Sequence, residues 1–206
     1  MKAWAKAQGI NDASQGSLSS YSLTLMVINF LQVGVNPPVI PISLQEQFPQ
    51  RFKNDALITE LDFSDLPGDA YNKSENKMSL GNFKTPQTTK PHPHLKFGLR
   101  SFSGALLADF FRHYAERFDF SRDVASVRTA RLLDARDCQD YARSIHFSPG
   151  QWDANVLVEE PYDRSNAGRA TCRRDAFDDI VGAFQSANQI FKRKKADKVR
   201  LEELLR

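Results

Sequence analysis

Lys2-Ala3-Trp4-Ala5-Lys6, Gly9-Ile10-Asn11-Asp12 and Leu18-Ser19-Ser20-Tyr21, the last leading into the apolar stretch Leu23 to Leu31, decide how the chain is organised. Lys2 and Lys6 are four residues apart and share one face of a short helix, about Met1 to Gln8. Gly9 is placed to cap that helix, and Ser17 to cap the start of a second. From Leu23 to Leu31 only Thr24 and Asn29 interrupt the apolar run, so the second helix is expected to be buried on most sides. Its first turn carries Ser20 and Tyr21, where unpaired backbone N–H groups and the helix dipole favour an anion. Two lysines, a helix N-terminus, a hydroxyl and an aromatic ring suit a nucleoside triphosphate. The same residues also read as a solvated lysine face and a core aromatic.

Outward from that stretch, the bulk properties narrow the class. A length of 206 residues with 41% apolar side chains suits one domain, or one domain with tails. The net charge of +3 is unevenly spread, because Lys192 to Arg206 holds seven basic and three acidic residues. A basic appendage on a near-neutral body fits weak contact with RNA and fits a solvated tail equally well. Cys138 and Cys172 are too few for a disulfide framework and suit a reducing compartment. No signal peptide is visible and the longest apolar run is too short for a bilayer, so a soluble intracellular protein without membrane contact is expected.

A first helix with no N-cap and no preceding turn is marginal alone, so Met1 reads as a point inside a longer helix and the chain as truncated. Val35-Asn36-Pro37-Pro38-Val39-Ile40-Pro41 is extended, and Leu44 to Phe52 suggests a short helix. Pro67 to Pro93 is polar and reads as a mobile insertion, its His92 and His94 solvated and not metal ligands. Leu106, Leu107, Phe110, Phe111 and Tyr114 recur at helical spacing and predict a core-facing helix from Ser103 to about Arg117. Asp123 to Leu133 reads as a strand, residues 134 to 150 as polar chain with a Pro-Gly turn, and Ala154 to Glu159 as a second strand pairing with the first. A long helix follows from Thr171 to about Lys194, with Phe177, Ile180, Val181, Phe184 and Ala187 on one stripe. The expected fold is mainly α with a small β-hairpin.

The opening stretch, together with Phe118-Asp119-Phe120, Ser126-Val127-Arg128 and Glu159-Glu160-Pro161-Tyr162-Asp163 with Asn166 and Arg169, resembles the central domain of template-independent RNA nucleotidyltransferases. These are the cytoplasmic poly(A) polymerases and terminal uridylyltransferases of the polymerase-β superfamily, and the resemblance is strongest to the germline-type poly(A) polymerases. It implies a helical central domain facing a separate catalytic palm. On that basis residues 1–66 are the first part of the central domain, 67–95 a flexible polar insertion, 96–194 the PAP-associated part and 195–206 a basic tail.

In such enzymes an RNA 3′-hydroxyl attacks the nucleotide's α-phosphate, with two divalent ions stabilising the attacking and leaving oxygens. The carboxylates that hold Mg2+ or Mn2+ follow a Gly-Ser turn as Asp-x-Asp. Gly16-Ser17 is the only Gly-Ser pair here and no Asp-x-Asp follows it, so the resemblance implies that the palm is missing and the chain inactive alone. By resemblance, Lys2 and Lys6 hold the triphosphate of ATP, Ser20 bonds a phosphate oxygen and Tyr21 stacks on the base. Glu160 and Asp163 belong to the loop closing over the base; without the resemblance they read as a solvated turn. Asn166 stands where uridylyltransferases carry a histidine and is counted with the nucleotide-binding residues; the loop's lack of a histidine implies adenosine over uridine, and Arg169 lies near the RNA path. RNA 3′ ends and an RNA-binding recruiting protein are the implied partners. The alternative is a non-catalytic helical module that binds nucleotide, RNA or protein.

Overall fold

The computed structural model describes residues 1–40, 99–145, 149–194, 199 and 201–205. Helix α1 spans Lys2–Ala7 and ends at Gly9, whose φ of 69° lies in the left-handed region that glycine enters without a Cβ clash. Helix α2 covers Ser20–Asn29 and continues as a π-helical turn, Phe30–Gly34. Its N-cap is Ser19, whose hydroxyl accepts from the Ser22 N–H at 2.9 Å. Ser17, the cap expected from sequence, is buried and donates to the Ile10 carbonyl at 2.6 Å, closing the loop between the two helices.

Helix α3 (Leu99–Arg112) begins earlier than the periodicity predicts and passes into a π-helical turn, His113–Arg117. Strands β1 (Asp123–Ser126) and β2 (Arg131–Asp134) follow, then α4 (Ala135–Ser144), β3 (Val158–Glu159), α5 (Arg174–Arg193) and α6 (Leu201–Leu204). The expectation of a mainly helical chain with a small hairpin holds, but the pairing differs. The sheet order is β2-β1-β3. The hairpin lies within the segment that reads as one strand, with Val124 opposite Leu133. The Val158–Glu159 strand lies on the other side of β1 and parallel to it, pairing Ala125 with Val158 and Ser126 with Glu159. The turn Val127-Arg128-Thr129-Ala130 contains none of Gly, Pro, Asn or Asp, the residues that ordinarily mark a reversal. Ala130 takes a φ of 51° there.

Helix α4 falls where polar loop is expected. Its buried face consists only of Ala135, Cys138 and Ala142, which leaves a faint apolar stripe. Asp134 caps it by accepting from the Arg136 N–H at 2.8 Å. The predicted helix at 44–52 and insertion at 67–95, with His92 and His94, lie outside the described residues. Within the predicted basic tail, Leu204 is buried and its carbonyl accepts from the Gln8 side chain at 3.2 Å. Lys194 pairs with Glu203 at 2.5 Å and Lys192 with Glu116, so part of this segment packs back on the body. No helix among the described residues is long and apolar enough to cross a membrane.

The core is aromatic. Trp4 of α1 meets Phe111 of α3 at 4.8 Å and Phe184 of α5 at 5.1 Å between ring centroids. Phe30 meets Phe110 at 5.4 Å, joining α2 to the same cluster. The buried Tyr114 hydroxyl donates to the Met26 carbonyl at 2.8 Å. Asn29, one of the two interruptions in the apolar run, is fully buried because its amide donates to the Ser126 and Arg131 carbonyls at 2.9 and 3.2 Å. It pins the end of α2 to both strands of the hairpin.

His113 is buried 5.8 Å from the Phe30 ring, and burial, aided by the nearby Arg117 charge, pushes its pKa down to about 4. Its folded state therefore favours the neutral ring. Stability is complete above the ordinary histidine value near 6.5 and is lost as pH falls from there towards 4, by about 2 kcal/mol at pH 5. Urea midpoints at pH 7, 6 and 5 should show that decline, and His113→Phe should flatten it relative to the parent.

Candidate functional site

Strand β3 ends at Glu159, and Glu160 follows it as the first residue of the next loop. Glu159 is 2% exposed. Its carboxylate accepts from Arg128 at 2.6 Å through Nη2 and 3.2 Å through Nε, and from the Ser126 hydroxyl. The Ser126 oxygen accepts in turn from the Thr129 N–H and hydroxyl at 3.2 and 2.9 Å, so the hairpin turn is tied to the end of β3. The chain's charge pattern held a signal for this: Glu159 closes the apolar run Val156-Leu157-Val158, and Arg128 follows the similar run Val124 to Val127. Buried charges so placed require partners.

Glu160 turns the other way and organises the acidic loop. Its Oε2 accepts from the Tyr162 and Asp163 N–H groups at 2.6 and 2.8 Å, and its carbonyl from the Arg164 N–H at 3.0 Å. Asp163 caps the next turn by accepting from the Ser165 N–H at 2.8 Å. The Glu160 Oε1 accepts from the Tyr21 hydroxyl at 2.6 Å across 139 residues of sequence. Tyr21 is 47% exposed, so its ring is a surface and not core. Partial burial, then the bond to Glu160, pushes the phenol pKa upward, keeping the hydroxyl a donor.

Ser20, beside Tyr21 at the mouth of α2, is exposed and donates to Asn11 Oδ1 at 3.1 Å. Asn11 donates to the Leu18 carbonyl at 2.9 Å. These bonds tie the turn after α1 to the entrance of α2. Lys2 and Lys6 are exposed on α1 without an ion-pair partner among the described residues. Arg169 is exposed four residues after the closed loop. Among the described residues, no group of three His, Cys, Asp or Glu side chains could hold a metal ion.

Asn166 does not face the others. It is fully buried; its Oδ1 accepts from the Val158 and Gly168 N–H groups at 3.0 and 2.8 Å, and its Nδ2 donates to the Gln151 carbonyl at 2.9 Å. Gly168 is required beside it, because a Cβ there would stand 2.1 Å from the Val156 carbonyl oxygen. The amide that the resemblance sets at the nucleotide is bonded to the backbone on both sides of the loop.

Residues 104–166 match the family model described as Cid1 family poly A polymerase. The chain is 34% identical to poly(A) RNA polymerase GLD2 of Xenopus tropicalis over 91% of its own length and 29% of that protein. It is also 34% identical to GLD2 of Danio rerio, covering 95% of this chain and 32% of that one. A solved GLD-2/RNP-8 complex aligns with 99% of this chain and 50% of its counterpart at 29% identity, with a TM-score of 0.56. Over most of its own length the chain is homologous to GLD2-type poly(A) RNA polymerases. It spans about a third of the length of these GLD2 relatives. Cid1 bound to the UTP analogue UMPNPP, 22% identical with a TM-score of 0.61 over 99% of this chain and 53% of that one, shares the fold.

In this GLD2 relative, Asn166→Ala should lower unfolding free energy by about 2–4 kcal/mol, since buried backbone donors and acceptors lose their partner. Arg169→Ala, an exposed change, should stay within about 0.5 kcal/mol of the parent. Urea denaturation of the two variants measures the contrast.

Proposed function

We propose that this chain is the nucleotide- and RNA-reading portion of a cytoplasmic poly(A) RNA polymerase that adds AMP from ATP to RNA 3′ ends. The observation that carries this reading is the Tyr21–Glu160 hydrogen bond, 2.6 Å long, which joins the mouth of α2 to the acidic loop. Tyr21 offers a half-exposed ring on which a base can stack, held in place through its hydroxyl. Ser20 and the first-turn N–H groups of α2 lie next to it and suit a phosphate. Lys2 and Lys6 supply positive charge for the triphosphate from α1, and Glu160 and Asp163 border the base. Arg169 receives the RNA strand, and an RNA-binding protein recruits the target.

The residues present do not fit a divalent ion, because no acidic or histidine triad stands together among those described and no Asp-x-Asp occurs in the sequence. The Mg2+ or Mn2+ carboxylates belong instead to a palm outside this chain. Adenosine is the preferred base because the loop Asp163 to Arg169 contains no histidine, and Asn166 is turned inward. A site lacking the donor that a uridine-selective pocket uses gives uracil no advantage.

Titration of the chain with fluorescently labelled ATP and UTP tests this reading. ATP should bind more tightly than UTP. Tyr21→Ala should weaken ATP binding about 10- to 100-fold, the loss of ~1–3 kcal/mol of stacking, with the melting temperature nearly unchanged. Equal binding of the two nucleotides, or an affinity indifferent to Tyr21, would refute it.

A further inference from the structure

The loop that presents Glu160 is held from behind by a contact outside the nucleotide site. Arg164 closes that loop with a φ of 58°, a left-handed conformation that a residue with a Cβ adopts only when its surroundings demand it. Its N–H donates to the Glu160 carbonyl at 3.0 Å. Its guanidinium lies 4.6 Å from the centroid of the Tyr141 ring on α4. These two side chains help to line a cavity of about 170 Å3, whose walls also include Leu133, Cys138 and Trp152 and the Arg128–Glu159 pair.

We infer that Arg164 and Tyr141 form a positioning latch that sets where Glu160 meets Tyr21, and so the shape of the nucleotide site. This rests on the nucleotide reading above. Both act through the loop. Arg164 is tied to Glu160 by the backbone bond and to α4 by its charge, so α4 serves as the anvil against which the acidic loop is set. The left-handed backbone at Arg164 is what turns the side chain back over Tyr141 while the chain continues to the buried Ser165 and Asn166.

Two variants break the latch from its two sides. Arg164→Asn tolerates the left-handed backbone and lacks the guanidinium; Tyr141→Leu keeps an apolar side chain and lacks the ring. Tyr141→Phe retains the ring face and is the control. Amide exchange at Tyr162 and Asp163, whose N–H groups bond Glu160, is measured by NMR in the nucleotide-free chain, beside the affinity for fluorescently labelled ATP. Both breaking variants should exchange about two- to fivefold faster at these two amides and bind ATP weaker by a similar factor, with Ala125 unchanged and Tyr141→Phe like the parent. Unchanged exchange in both variants would overturn the latch. Faster exchange with parental ATP affinity would overturn its role in the site. Faster exchange in a chain that binds no ATP would leave the latch standing and refute the nucleotide reading instead.

Discussion

A carboxylate buried at 2% exposure must be paired, since an isolated buried charge is strongly unfavourable and removing one partner of such a pair costs about 3–5 kcal/mol. Glu159 meets that constraint with Arg128 and Ser126 from the hairpin. The consequence reaches beyond the pair. It locks the end of β3 against β1 and the hairpin turn, and Glu160, the next residue, is left to bond Tyr21 and the loop N–H groups. The outward aim of the acidic loop is thus a result of the inward charge next to it.

Helix α2 is measured against the sheet at both ends. Asn29 at its C-terminal end holds the Ser126 and Arg131 carbonyls, while Tyr21 in its first turn holds Glu160. Eight residues of helix separate those anchors, a rise of about 12 Å. Between them the helix buries Leu23, Leu25 and Met26 in the aromatic core formed with α1, α3 and α5. One helix therefore transmits the core's rigidity to the candidate site. The polar interruption at Asn29 is as structural as the leucines around it.

Parts of this arrangement were legible in order of their local signal. The periodic stripe from Leu106 to Tyr114 and that from Phe177 to Ala187 specify helices because burying them is the only way to use them. The reversal at Val127 to Ala130 was not legible, because its residues have no turn preference and the backbone is bent by pairing, not by propensity. Helix α4 was hidden for a related reason: with only Ala135, Cys138 and Ala142 facing inward, its identity depends on the Asp134 cap and on the sheet and Trp152 against which it packs. Of the candidate site, the sequence offered Tyr21 and Glu160 as separate residues, and the bond between them was not legible because 139 residues lie between.

By itself the sequence determined the helix-rich class, the apolar α2, the aromatic stripes and the family resemblance, since each depends on residue type and spacing along the chain. Only the tertiary structure decided which of two adjacent glutamates faces Tyr21, why Asn166 faces away and how Arg164 reaches Tyr141. Those outcomes depend on partners outside the residue's own element, from Gln151 for Asn166 to Tyr21 for Glu160. A carboxylate or amide is equally polar in either direction, and only the position of the buried donors and acceptors selects one.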